Sequence, residues 1–232
     1  MVHFDQDLAE LKDLLLTMAS HAEAAMRQAV EALMRRDYDL ALRVRADDAV
    51  IDRFEVEVDE MAIRLLSQAP LASDLRLIAV TMKISQNLER VGDEATKIAN
   101  RARDLSQEPP LKLPVAIPQM ADMVLPMLKS SLDAFVNKDP VAARALIPQD
   151  KQVDSLNKEI HQQLAEQMIR DPETVTRCLH LMVAAKSLER IADHAKNVAE
   201  EVVYLCEAED IRHTGNPASR PLPEPRDRSA DL

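Results

Sequence analysis

The chain has 232 residues, 29 basic against 40 acidic side chains for a formal charge of −11, and only 2 glycines against 13 prolines. So few glycines exclude a phosphate-cradling loop, which needs several at fixed spacing, and cannot supply the turns of a β-sandwich or barrel. The acidic balance and the five aromatics, with no tryptophan, disfavour nucleic acid and leave metal ions or partners with basic patches. The rest, 47% hydrophobic and 30% charged, is rich in good helix formers, so the fold class is all-α.

Apolar periodicity and proline placement predict six long helices, at about 4–35, 38–67, 73–104, 115–137, 140–170 and 173–208. Pro109, Pro110, Pro114 and Pro118 mark a linker over 108–118. Pro126 and Pro148 are expected to kink or break the fourth and fifth helices. Asp139-Pro140 and Asp171-Pro172 each pair an N-cap with proline at the first helical position. From 209 to 232, Gly215 with Pro217, Pro221, Pro223 and Pro225 reads as a disordered charged tail. Cys178 and Cys206 stand alone, without metal or disulfide spacing. With no leader pattern and no apolar run of about 18 residues, a cytoplasmic protein without a membrane span is expected.

The chain repeats itself. Leu88-Glu89-Arg90-Val91-Gly92-Asp93 recurs as Leu188-Glu189-Arg190-Ile191-Ala192-Asp193, an offset of 100. Upstream the offset is 102, pairing Asp37 with Asp139, Asp48 with Asp150, Asp52 with Asp154 and Pro70 with Pro172. The duplicated unit is a three-helix bundle, so the chain divides into a first bundle over 1–107, the linker, a second bundle over 119–208, and the tail.

On a wheel turning about 100° per residue, Thr81, Ile84, Leu88, Val91, Ala95 and Ala99 form a core stripe. Glu89 and Asp93 fall beside each other but off that stripe, in an outward register. Asp48, Asp52, Glu55 and Asp59 form an acidic line on the second helix, matched by Asp150, Asp154, Asn157 and His161 in the second half. Like charges four residues apart cost a helix a few tenths of a kcal/mol, and a bound cation reverses that cost. Hard oxygen donors suit Mg, Mn, Ca or Fe. A lone ExxxD is ordinarily a solvated face; its recurrence on two helices of both halves leaves the solvated and metal-binding readings side by side.

Other constellations are weaker. No histidine stands three residues after a glutamate, which removes the inward-facing di-iron pattern of bundle oxidases. His194 beside Asp193 reads as a surface histidine, and Arg90 and Arg190 as solvated or intrahelical ion pairs, with contact to a phosphate or a partner's acid as the other option. Gly92, mid-helix, costs up to about 1 kcal/mol relative to alanine, so a close helix approach beside the acid pair is expected there. Two other function classes stay open on the residues: a carboxylate-bridged di-metal enzyme, and a purely structural helical module.

Gln68-Ala-Pro-Leu-Ala-Ser-Asp-Leu-Arg-Leu-Ile78, Lys83-Ile84 and Leu88-Glu-Arg-Val-Gly-Asp93, with the opening His3-Phe4-Asp5, Leu8, Leu11 and Met18, resemble the PhoU family of phosphate-uptake regulators over about 1–208. The resemblance implies a tandem pair of three-helix bundles and a regulatory adaptor rather than an enzyme. It implies repression of phosphate uptake and of phosphate-starvation two-component signalling. Its implied partners are the phosphate ABC transporter, chiefly the ATPase subunit, and a phosphate-sensing histidine kinase, with peripheral membrane association through them and a homo-oligomer, expected as a dimer. It also implies divalent or trivalent metal ions (Mg, Mn, Fe or Zn) held on the bundle surface by Glu89, Asp93, Glu189 and Asp193, with Asp48, Asp52, Asp150 and Asp154 at the matching acidic positions of the neighbouring helices. Two departures, Ala192 in place of the motif glycine and Lys97 where Asn197 is more family-like, leave room for the two sites to differ in occupancy or metal.

Overall fold

A computed structural model describes residues 2–68 and 71–212. Helices α1 (Val2–Arg35), α2 (Tyr38–Leu66) and α3 (Ala72–Ser106) pack pairwise into one bundle; α4 (Ile117–Asn137), α5 (Pro140–Leu146), α6 (Asp150–Arg170) and α7 (Val175–Glu207) form the second. Connections too short to cross a 30-residue helix force neighbouring helices to run antiparallel. Asp37 closes the start of α2 by accepting from the Leu40 amide at 2.9 Å, and Asp139 that of α5 by accepting from Val141 and Ala142 at 3.0 and 2.9 Å. Asp171 accepts from the Glu173 amide at 3.3 Å, but the turn it starts at Pro172–Thr174 is 3-10 before α7 begins.

The two prolines behave differently. Pro148 breaks the fifth helical rod into α5, a 3-10 turn at Ile147–Gln149, and α6. Pro126 does not break α4, which runs unbroken through it. Pro126 and Asp122, one turn earlier, are both exposed, so the backbone bond that proline cannot make is missing on the solvent side of the helix.

The core stripe expected on α3 is buried throughout: Thr81, Ile84, Leu88, Val91, Ala95 and Ala99 are all at or below 1% exposure. Buried residues of both bundles merge into one cluster, running from Leu15, Met26 and Leu88 to Met120, Leu128 and Leu188. Fully burying each such side chain contributes roughly 1.5–3 kcal/mol. A smaller cluster of Leu11, Val58, Met61, Leu65 and Ile78 closes the far end of the first bundle. The proline-rich segment lies along this body: Arg36 donates to the Leu105 and Glu108 carbonyls, Arg177 to that of Pro109 at 3.3 Å, and Gln163 to that of Pro114 at 2.9 Å. Of the expected tail, residues 209–212 are described, and there Arg212 pairs with Glu201 at 3.1 Å. The remainder, with Gly215 and its prolines, lies outside the described residues, as does Pro70.

The halves meet through α3 and α7, which run antiparallel. Lys83 reaches Glu201 at 3.0 Å, Asn87 meets Asn197 at 3.3 Å, and Arg190 donates to Glu94 at 3.1 Å. Each contact sits an equal number of residues to either side of Gly92 and Ala192, positions the 100-residue repeat relates to each other. The bundles are therefore related by a local two-fold at that point.

Candidate functional site

Acids from two helices face each other in the first half. Asp48, Asp52 and Glu55 occupy successive turns of α2, while Glu89 and Asp93 lie one turn apart on α3. Gly92 sets how closely these helices approach: a Cβ there would lie 2.9 Å from Ile51 Cδ1 and 3.2 Å from Asp48 Oδ1. Partial burial pushes the Asp48 carboxyl up, helped by Asp52 and Asp93; the Thr96 hydroxyl, which faces it without a well-formed hydrogen bond, works the other way. Glu89 is likewise raised by burial, then by Asp93, with Arg90 opposing and Glu55 and Asp52 adding. Glu55 is raised by burial and by Asp59. Among the described residues, Arg90 is the basic side chain that pairs with these acids, contacting Glu89 Oε2 at 3.2 Å and Asp93 Oδ2 at 3.4 Å, and it is 62% exposed. An open hollow lined by Glu55, Gln86, Glu89 and Arg90 fronts the cluster.

The second half repeats the acids but not their surroundings. Burial pushes Asp193 up, and Asp150, Glu189 and Asp154 add to it, so these four carboxylates share one neighbourhood. The outward register does not hold for two of them: Asp150 is 5% exposed and Glu189 8%. α7 is packed by α3, α4, α5 and α6, so a flank that a single-helix wheel leaves to solvent is covered. The Lys196 ammonium donates to Asp150 Oδ2 at 2.8 Å, and Lys186 approaches Glu189 Oε2 at 2.5 Å off the hydrogen-bonding directions, a charge contact rather than an aligned hydrogen bond. Asp150 Oδ1 and Asn157 Oδ1 are buried without a hydrogen-bond partner. His161 turns a ring nitrogen to the Met182 carbonyl at 3.3 Å.

On the local two-fold, Arg90, Asp93, Glu94 and Lys97 line one pocket with their counterparts Arg190, Asp193, His194 and Asn197. Arg190 makes an ion pair, as the sequence suggested, but with Glu94 of the other half rather than along its own helix. His194 is not a free surface histidine: it lies 3.0 Å from Asn87 Oδ1, and burial lowers its pKa. Glu94 and Glu201, each 4% exposed, are charged residues that wheel reading missed; of the two, Glu94 lines this pocket. Burial pushes its carboxyl up, but Lys97, Ser187 and Arg190 outweigh this and hold it below the usual range. Its signal was available, since Glu94 lies on the side of α3 away from its own bundle, where a second bundle must pack.

The first cluster offers oxygen donors whose mutual repulsion a hard cation would relieve, with one screened arginine as competitor, and so fits a Mg- or Mn-type ion. As the side chains stand, no three His, Cys, Asp or Glu among the described residues converge tightly enough to hold an ion. In the second cluster, two carboxylates already have tethered ammonium partners.

The PhoU domain family matches twice, over residues 15–102 and 117–202. The chain is 40% identical over 214 residues to a phosphate-specific transport system accessory protein PhoU homolog of Pseudomonas putida, covering 91% of this chain and 84% of that one. It is 33% identical over 213 residues to the accessory protein PhoU of Escherichia coli K12, covering 91% and 88%. The crystal structure of PhoU from Pseudomonas aeruginosa superposes with a TM-score of 0.86 at 38% identity, covering 89% of this chain and all of that one. A phosphate transport system regulatory protein PhoU from Streptococcus pneumoniae gives 0.84 at 27% identity, covering 90% and 99%.

Proposed function

Because this chain belongs to the PhoU family, we propose that it is a metal-binding regulatory adaptor that represses phosphate uptake by a phosphate ABC transporter and phosphate-starvation two-component signalling. Its relatives bear the names of accessory and regulatory proteins of phosphate transport, which supports an adaptor rather than a catalyst. It works at the cytoplasmic face through its partners, the transporter's ATPase subunit and a phosphate-sensing histidine kinase, as a homodimer. No helix among the described residues is long and apolar enough to cross a membrane, which suits attachment through partners.

The carrying observation for metal is the α2–α3 face, where Asp48, Asp52, Glu89 and Asp93 repel one another beside a single exposed arginine. These four residues would hold the ions; Glu189, Asp193, Asp150 and Asp154 form the duplicated candidate face. A bound cation supplies charge neutralisation and a fixed carboxylate geometry. The protein's own residues then set the shape and charge of the docking face.

Two experiments test this. Deleting the gene should derepress alkaline phosphatase in high phosphate, and unchanged repression would remove the regulator reading. Metal content of protein purified without chelators should fall in the Glu89→Ala/Asp93→Ala variant; equal content in both would remove the site.

A further inference from the structure

The repeat places neutral residues beside the first ExxxD pair and lysines beside the second. Gln86 and Thr96 lie three residues before Glu89 and three after Asp93; the 100-residue offset puts Lys186 and Lys196 at the matching positions around Glu189 and Asp193. Both lysines are engaged, Lys186 with Glu189 at 2.5 Å and Lys196 with Asp150 at 2.8 Å.

We propose that the two halves are divided in their use of cations: the first face takes metal ions, while the second carries Lys186 and Lys196 as built-in counter-ions and stays largely metal-free. This rests on the metal-binding reading above and assigns it unequally.

Charge and burial carry the argument. The first face sets Asp48, Asp52, Glu55, Glu89 and Asp93 against one arginine that is 62% exposed, a contact worth little in water. The second sets four acids against two ammonium groups. The Lys196–Asp150 pair is the better shielded, at 30% and 6% side-chain exposure, so water screens it less. A metal ion entering there must first displace a tethered cation that is already at contact distance, and then tolerate that ammonium within a side chain's length. On the first face it displaces only water and a solvated guanidinium. The donor set changes in the same direction, since Asn157 replaces the charged Glu55.

The test exchanges the lysines between halves. Protein equilibrated with Mn²⁺ and dialysed is assayed for bound manganese, and Mn anomalous scattering in crystals locates the ions. Glu89→Ala/Asp93→Ala should lose most of the bound manganese, at least tenfold, and Glu189→Ala/Asp193→Ala should retain it. Lys186→Gln/Lys196→Thr should gain ions on the second face, about doubling the content, while Gln86→Lys/Thr96→Lys should empty the first. The single Lys186→Gln variant, altering a half-exposed side chain, repeats the gain in smaller measure if the double variant fails to fold. Equal losses from the two alanine pairs, or no gain on lysine removal, would overturn the division while leaving metal binding standing. A wild-type protein that binds no manganese would overturn both.

Discussion

The terminal Cδ1 of Ile51 lies 2.9 Å from the point a Cβ on Gly92 would occupy, closer than packed carbons approach. Ile51 is 2% exposed, so this atom has a packed rather than a free surrounding. In the second half the matching positions are Val153 and Ala192, a valine without the δ carbon and an alanine with the β carbon. One methyl group has moved across the helix contact.

That exchange predicts a rescue. Gly92→Ala alone gains up to about 1 kcal/mol of helix propensity but loses about 1–3 kcal/mol to overpacking, for a net loss. Ile51→Val alone costs about 0.5–1.5 kcal/mol. The double variant, which reproduces the second half's pair, should be more stable than the two single losses added together, by at least about 0.5 kcal/mol. Urea denaturation of all four proteins measures the coupling, and strict additivity would refute the methyl exchange.

Glu94 predicts an asymmetry between its two kinds of removal. The carboxylate is 4% exposed, whereas the Lys97 and Arg190 side chains that hold it are 45% and 52% exposed. Removing the cations strands a buried charge; removing the acid only returns two cations to water. Lys97→Ala/Arg190→Ala should therefore destabilise by about 2 kcal/mol or more, and Glu94→Gln by clearly less. Thermal unfolding at neutral pH decides the order. A larger loss in Glu94→Gln would contradict it.

A pH dependence is expected at Glu23, away from the acidic faces. Burial pushes its carboxyl up; Arg27 and Lys129 oppose this in part, and Asp133 adds to it. The folded protein therefore holds this proton more tightly than the unfolded chain, and unfolding releases it. The stabilisation is complete below the ordinary glutamate range and is lost as pH rises through the raised folded value. At pH 7 the ionised group is a net cost, one that solvent screening keeps small. Glu23→Gln should be more stable than wild type at pH 7, with the gap closing as pH falls toward 4. Denaturation midpoints across that span check the sign; a gap that widens on acidification would reverse it.

Much of this could be read from the chain alone because helices declare themselves by period. The α3 stripe is buried as its spacing requires, and the Leu-Glu-Arg repeat and its shift from 102 to 100 residues announced two bundles. The expected close approach at Gly92 has its reason in Ile51. What stayed hidden belongs to contacts between elements. A wheel assigns one inside and one outside to a helix, but α7 is packed from several sides, so Glu189, the repeat of the outward-reading Glu89, is buried, and Asp150 on α6 is buried beside it. Pro126 does not break α4, and it sits on that helix's exposed side. Lys186 and Lys196 were visible as differences between the repeats, but their partners were not.

The antiparallel crossing of α3 and α7 also gives the molecule a direction. Asp93 and Asp193 border the same central pocket, so the two acidic faces adjoin across it. Yet the repeat sets Glu94 against His194 and Lys97 against Asn197, while Lys186 and Lys196 answer to the neutral Gln86 and Thr96. The backbone there has a head and a tail that are alike, while the charges distinguish them. A partner that reads only contour could dock either way round; one that reads charge finds a single polarity, and duplication followed by divergence has turned a symmetric body into an oriented one.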